Sequence, residues 1–139
     1  TSRGDVLKGI LEGSIFYLRE CLDMLPGAGI EVNDFRAVGG GSKSDQWLQI
    51  CADIMQRPVT RPAFTEAGVR GAAMLAGIGA GVYASAQEAV DTFVQLGRSF
   101  EPDAKNQSIY EGRFGHYVQM RRAMRGFLHD LVRDGGVSV

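Results

Sequence analysis

Three consecutive glycines, Gly39-Gly40-Gly41, stand between a short apolar run and a segment with helical spacing, and they constrain the fold of this chain more than any other feature. Phe35 to Val38 read as the end of a short buried strand. Trp47, Ile50, Cys51 and Ile54 recur at helical intervals, so the glycines fall where a strand becomes a helix. Glycine accepts positive φ and lets a backbone come close to a ligand, and the first N–H groups of the following helix, with the positive end of its dipole, favour an anion. An α/β fold with a nucleotide-sized ligand at the turn suits this pattern. The pattern does not say which ligand.

Two familiar phosphate loops can be tested against the residues. A Walker A loop needs glycine directly before Lys-Ser/Thr, and here Ser42 precedes Lys43-Ser44. The dinucleotide fingerprint needs a third glycine where Ser44 stands and an acid at the end of a second strand about 20 residues on; neither is found. A triglycine turn by itself is a tight connection about as readily as it is a ligand site.

The rest of the chain is mostly helical. Asp5 to Leu25 read as a helix with Ser2 and Asp5 placed to cap it, Leu7, Leu11, Leu18, Leu22 and Leu25 on one side, and Glu12, Glu20 and Asp23 on a solvated face. Pro26-Gly27-Ala28-Gly29 ends it. After the glycines, Ser44 to Met55 form a second helix, and Pro58 and Pro62 bound a short extended piece. Thr65 to Ala80 form a helix rich in glycine and alanine, whose small face suits close approach of a neighbouring backbone or a ligand. Ala86 to Leu96 follow as a helix burying Ala89, Val90, Phe93 and Val94, and Phe100 to Asp103 are extended. The last helix begins near Ser108, with Ser108 and Glu111 as a capping box, and ends before Gly135-Gly136. Its Tyr110, Phe114, Tyr117, Met124, Leu128 and Leu131, with Arg121 in the remaining slot, form a stripe that suits a coiled-coil seam or, more commonly for one helix of this length, packing across its own domain. Two or three strands are expected in all.

Length and composition bound the remaining choices. The 139 residues fit one domain, and 45% hydrophobic with 22% charged residues is ordinary for a globular fold. A formal net charge of -1 with dispersed Lys and Arg argues against nucleic acid or an anionic membrane as partner. Cys21 and Cys51 make neither a disulfide framework nor a zinc spacing, which fits a reducing cytoplasm. Thr1 to Asp5 are too polar for a leader, and no apolar run reaches the roughly 18 to 20 residues of a membrane span. The first residue is not Met, so a piece of a longer polypeptide is expected. His116 and His129, thirteen residues apart on the last helix, read as surface or packing residues rather than a metal site. Asp53 reads as a structural hydrogen-bonding group. No nucleophile-plus-base arrangement, catalytic residue or metal site is assigned within the chain.

Taken together, Val38 to Ser44 with Trp47, Gln49, Ala52 and Asp53, then Pro58-Val59, then Gly71-Ala72-Ala73, Ala76, Gly79 and Gly81-Val82-Tyr83 resemble the carboxy-terminal domain of the FGGY carbohydrate kinases. The pattern of the xylulose kinases is the nearest within that family. Val6 to Arg19 resemble the helix that precedes the glycine strand, and Pro102-Asp103 with Tyr110 to Tyr117 resemble the tail. The resemblance runs in order over nearly the whole chain, residues 1–139.

The resemblance implies part of an actin-like ATPase domain with a ribonuclease-H-like core, in an enzyme that moves the γ-phosphate of Mg-ATP to a sugar hydroxyl, most simply D-xylulose or a related pentulose or polyol. It makes Gly39 to Ser44 the ATP-binding residues, with the Gly40 and Gly41 backbone offered to the α-phosphate and ribose and Ser42, Lys43 and Ser44 beside the adenosine. Glycerol kinases carry an asparagine on adenine near the position of Ser44 or Asp45, which this chain lacks. The Gly71-Ala72-Ala73 helix should pack behind the pocket. The catalytic base, most sugar ligands and the phosphate loops belong to parts of such kinases outside these residues, so the chain alone should be inactive and, with a face uncovered, should self-associate. The competing reading is a non-catalytic helical interaction module whose glycines only turn the chain.

Overall fold

A computed structural model describes residues 2–134, as five helices and three short strands. Helix α1 spans Arg3–Asp23 behind a capping box: Ser2 Oγ accepts from Asp5 N at 3.2 Å, and Asp5 Oδ2 accepts from Ser2 N at 2.6 Å. A short 3₁₀ turn over Leu25–Ala28 and a left-handed Gly29 end it. Strand β1 is Phe35–Arg36. Helix α2 is Asp45–Met55, and β2 is Val59–Pro62. Helices α3, Ala67–Gly79, and α4, Ala86–Phe93, precede β3, Leu96–Phe100, and α5, Ala104–Asp134. Gly135-Gly136, expected to close the last helix, lie outside the described residues.

The sheet order is β1-β2-β3. β1 runs parallel to β2, pairing Phe35 with Val59, and β3 runs antiparallel to β2, pairing Phe100 with Val59. A parallel pair needs a crossover, and α2 supplies it. Its inner side, Leu48, Cys51, Ala52 and Ile54, is the centre of the core, with Val59 and Phe100 from the sheet and Ile15, Phe16 and Tyr110 from the flanking helices.

Four expectations are corrected. The side of α1 that meets the core carries Glu12, Ile15 and Phe16, while Leu7, Leu11 and Leu18 are 55%, 41% and 42% exposed. Glu12, only 7% exposed, wins an interior place because α5 brings it donors: Tyr110 Oη donates to Oε1 at 3.0 Å, and Arg113 Nη1 lies 3.0 Å from both oxygens. Glu20 is likewise held by Arg121, not solvated. The second correction is at α4, which stops at Phe93 and leaves Val90 37% exposed. Leu96 belongs to β3 instead. Gly97 permits this: a Cβ there would lie 2.6 Å from the Arg61 carbonyl oxygen, so only glycine lets β3 come so close to β2.

Third, α5 starts four residues before Ser108. Asp103 turns the chain into it, accepting from Lys105 N at 3.0 Å, and Ser108 lies inside the helix. α1 and α5 run in the same direction, as the ties from Glu12 to Arg113 and from Glu20 to Arg121 show. Tyr110, Phe114 and Tyr117 stack around Phe16, whereas Met124, Leu128 and Leu131 are exposed past the end of α1. Only the first half of the stripe packs across the domain. Fourth, α3 buries none of its residues and packs along α4. Its close contact is Gly77 under the Tyr83 ring, where a Cβ would meet the ring at 2.6 Å, while Gly68 and Gly71 have nothing within 4 Å.

Candidate functional site

The glycine turn sits at the carboxyl end of β1, between the parallel strands' crossover helix and the sheet, the edge at which open α/β sheets bind ligands. Gly39 takes φ 81° and ψ -168°, a backbone geometry that side chains resist, and its N–H donates to the Thr65 carbonyl at 2.9 Å. Residues Gly40–Lys43 then close a 3₁₀ turn. Gly41 is tight in space rather than special in φ, since a Cβ would stand 3.3 Å from Trp47 Nε1. A Cβ at Gly40 would meet nothing within 4 Å. The first N–H groups of a helical turn have no partner inside it, and here they belong to Gly40 and Gly41, both exposed.

The polar residues of the turn divide differently. Ser42 is 2% exposed, its Oγ donates to the Gly39 carbonyl at 2.7 Å and its N–H to the same carbonyl at 3.2 Å, so the residue braces the loop from within. Lys43 extends into solvent and pairs with Glu66 at 3.3 Å, just before α3. Ser44 caps α2, its Oγ accepting from Trp47 N at 3.2 Å. The structure thus brings all six residues Gly39 to Ser44 into one turn, with backbone outward at Gly40 and Gly41, while the Gly39 backbone and both serine hydroxyls are engaged within.

Asp45, Arg61 and Arg98 complete the surroundings and were not assigned from the sequence. Arg61 Nη1 donates to Asp45 Oδ1 at 2.7 Å and Arg98 Nη1 to Asp45 Oδ2 at 2.5 Å. Beside them opens a basin of about 430 Å³ whose walls include Lys43, Arg61, Thr65, Gly97 and Arg98. No local spacing could have revealed this group, because its members are 16 and 53 residues apart in sequence.

Farther down α2 the groups are structural. Asp53, 3% exposed, accepts from Gln49 Nε2 at 2.9 Å, from Asp103 N at 2.8 Å and from Asn106 Nδ2 at 2.7 Å, which joins α2 to the start of α5 as a hydrogen-bonding residue should. Burial pushes the Cys51 thiol up to about 11, so it stays protonated and inert near neutrality. His116 and His129 lie exposed on α5, away from the turn. Among the described residues no three His, Cys, Asp or Glu side chains converge to hold a metal ion.

Residues 1–80 match the model of the FGGY family of carbohydrate kinases, C-terminal domain. The chain is 35% identical over 116 residues to the xylulose kinase of Bacillus subtilis (strain 168), covering 84% of this chain and 23% of that protein. Among solved structures, the xylulose kinase of Rhodospirillum rubrum superimposes with a TM-score of 0.78 at 28% identity, over 93% of this chain and 26% of that one. The Plasmodium falciparum glycerol kinase, solved with ADP, gives 0.70 at 26% identity over 86% and 24%. The chain spans about a quarter of the length of the relatives it matches. Its mostly helical fold around three short strands is consistent with part of an actin-like ATPase domain. The chain belongs to the FGGY family of carbohydrate kinases, as part of the C-terminal domain.

Proposed function

We propose that this chain is the ATP-binding carboxy-terminal part of a sugar kinase, with the Gly39–Ser44 turn receiving the adenosine end of the nucleotide. The observation that carries the reading is the exposed backbone at Gly40 and Gly41, with open space beside Gly40, at the carboxyl end of β1 in a domain of carbohydrate-kinase family. A relative solved with ADP supports a nucleotide as the ligand. Ser42 and Ser44 would sit beside the nucleotide and shape the turn, their hydroxyls being committed to the loop and the helix cap and their N–H groups to the Gly39 and Gly41 carbonyls. Mg²⁺ would arrive with the nucleotide's phosphates and be held by groups outside this chain. The sugar would be bound by the amino-terminal domain of the whole enzyme. D-xylulose or a related pentulose or polyol is the proposed acceptor, supported by the xylulose kinases among the relatives. Two free cysteines, one of them buried, agree with a reducing cytoplasm. No feature of the fold favours the helical interaction module.

Gly40→Asp tests this in the full-length protein, because its side chain enters open space and leaves the turn intact. A carboxylate set against the nucleotide should raise the calorimetric Kd for ATP at least about tenfold, or ~1.4 kcal/mol, with the melting temperature unchanged. An unchanged Kd sinks the nucleotide reading. ADP release on addition of D-xylulose to the full-length protein checks the acceptor.

A further inference from the structure

Arg61 touches the glycine turn and the start of α2 at once. Its Nη1 donates to the Ser42 carbonyl at 3.2 Å and to Asp45 Oδ1 at 2.7 Å, while Arg98 from β3 takes the other carboxylate oxygen at 2.5 Å. Both guanidiniums lie over the buried Phe100 ring, 5.5 Å and 4.6 Å from its centroid, so the pair is anchored on the core as well as on the carboxylate. A peptide group is planar, and pinning the Ser42 carbonyl therefore fixes the plane of the Ser42–Lys43 link. That plane sets the path of the turn.

We infer that Arg61 is a positioning residue for the ATP site: with Asp45 and Arg98 it clamps the Gly39–Ser44 turn in the shape that presents the Gly40 and Gly41 backbone. The inference rests on the nucleotide reading above. In this role Arg61 acts through the turn, by way of the Ser42 carbonyl and Asp45. Partly exposed ion pairs add little to global stability, and Arg61 and Arg98 are 24% and 62% exposed in their side chains, so the clamp acts on local shape rather than on whether the domain folds. Gly97 belongs to the same device, since its missing side chain lets β3 lie close enough to β2 for Arg98 to reach Asp45.

The test is ATP titration by calorimetry on the full-length protein. Arg61→Met should raise the Kd for ATP about tenfold while the melting temperature and circular dichroism hold. Arg61→Lys should recover only part of the loss, because an ammonium lacks the planar fork that presents several donors at once. A Kd within twofold of the parent for Arg61→Met, or a rise matched by loss of folded protein, overturns the positioning role. Gly40→Asp run alongside separates the two conclusions. An effect of Gly40→Asp without one of Arg61→Met removes the clamp and keeps the nucleotide reading, and an effect of neither removes both. An effect of Arg61→Met alone also counts against the clamp, since the turn would not be what it positions.

Discussion

The Tyr110 hydroxyl donates to Glu12 inside the contact between α1 and α5, and its pKa is pushed up to about 12, first by burial and then by that carboxylate. A folded-state value above the unfolded 10 means that the folded chain holds the proton more tightly. The stability tied to it is complete below pH 10 and is lost as pH rises from 10 to 12. Cys51, raised from 9.0 to about 11, adds a loss of the same sign between those values. Urea melts of the isolated chain across this range should therefore weaken steadily above pH 9. Tyr110→Phe should flatten the upper part of the fall and leave the part due to Cys51. Glu12 itself was misread from the sequence because spacing along a helix treats every charge as solvent-seeking, and its partners lie 98 and 101 residues away. Asp53 was read correctly as structural: it sits one turn from Gln49 on the apolar side of α2, where a lone acid must find donors.

At the scale of elements, the strand–glycine–helix unit was legible because its signals are local: an apolar run, glycines, a serine cap and a helical period within twenty residues. The boundary between α4 and β3 was not. Val94 to Phe100 carry no periodicity that separates strand from helix, and what decides is the pairing with β2 across the bulge near Pro62. Gly97 is the hinge of that pairing. Gly97→Ala should destabilise the chain by about 1–3 kcal/mol, the usual size for forcing a methyl into packed backbone, as read by urea denaturation. Gly40→Ala, with open space around it, serves as the control and should stay within about 0.5 kcal/mol. Equal effects of the two would show that the closeness of β2 and β3 carries no energy.

For the whole molecule, the chain spans about a quarter of its relatives' length and leaves apolar surface uncovered. Leu7, Ile10 and Leu11 on α1 and Phe127 and Leu131 on α5 are all more than 40% exposed, and β1 ends the described sheet with one edge unpaired. Apolar patches and open strand edges seek partners. The isolated chain should sediment faster as its concentration rises, and it should release no ADP from ATP and sugar; one monomeric boundary at all concentrations would contradict the first expectation.

The family signature closes at residue 80, yet the polypeptide does not become self-sufficient there. Asp53 takes donors from Asp103 and Asn106, Glu12 from Tyr110 and Arg113, and Asp45 from Arg98, all farther along. Severed after Ala80, the remainder would keep Asp45 with Arg61, Asp53 with Gln49 and Glu12 with Lys8, and would lose the donors that lie farther along. A segment that evolution or an engineer transplants must carry its tail with it, because recognition and independence have different borders in this polypeptide.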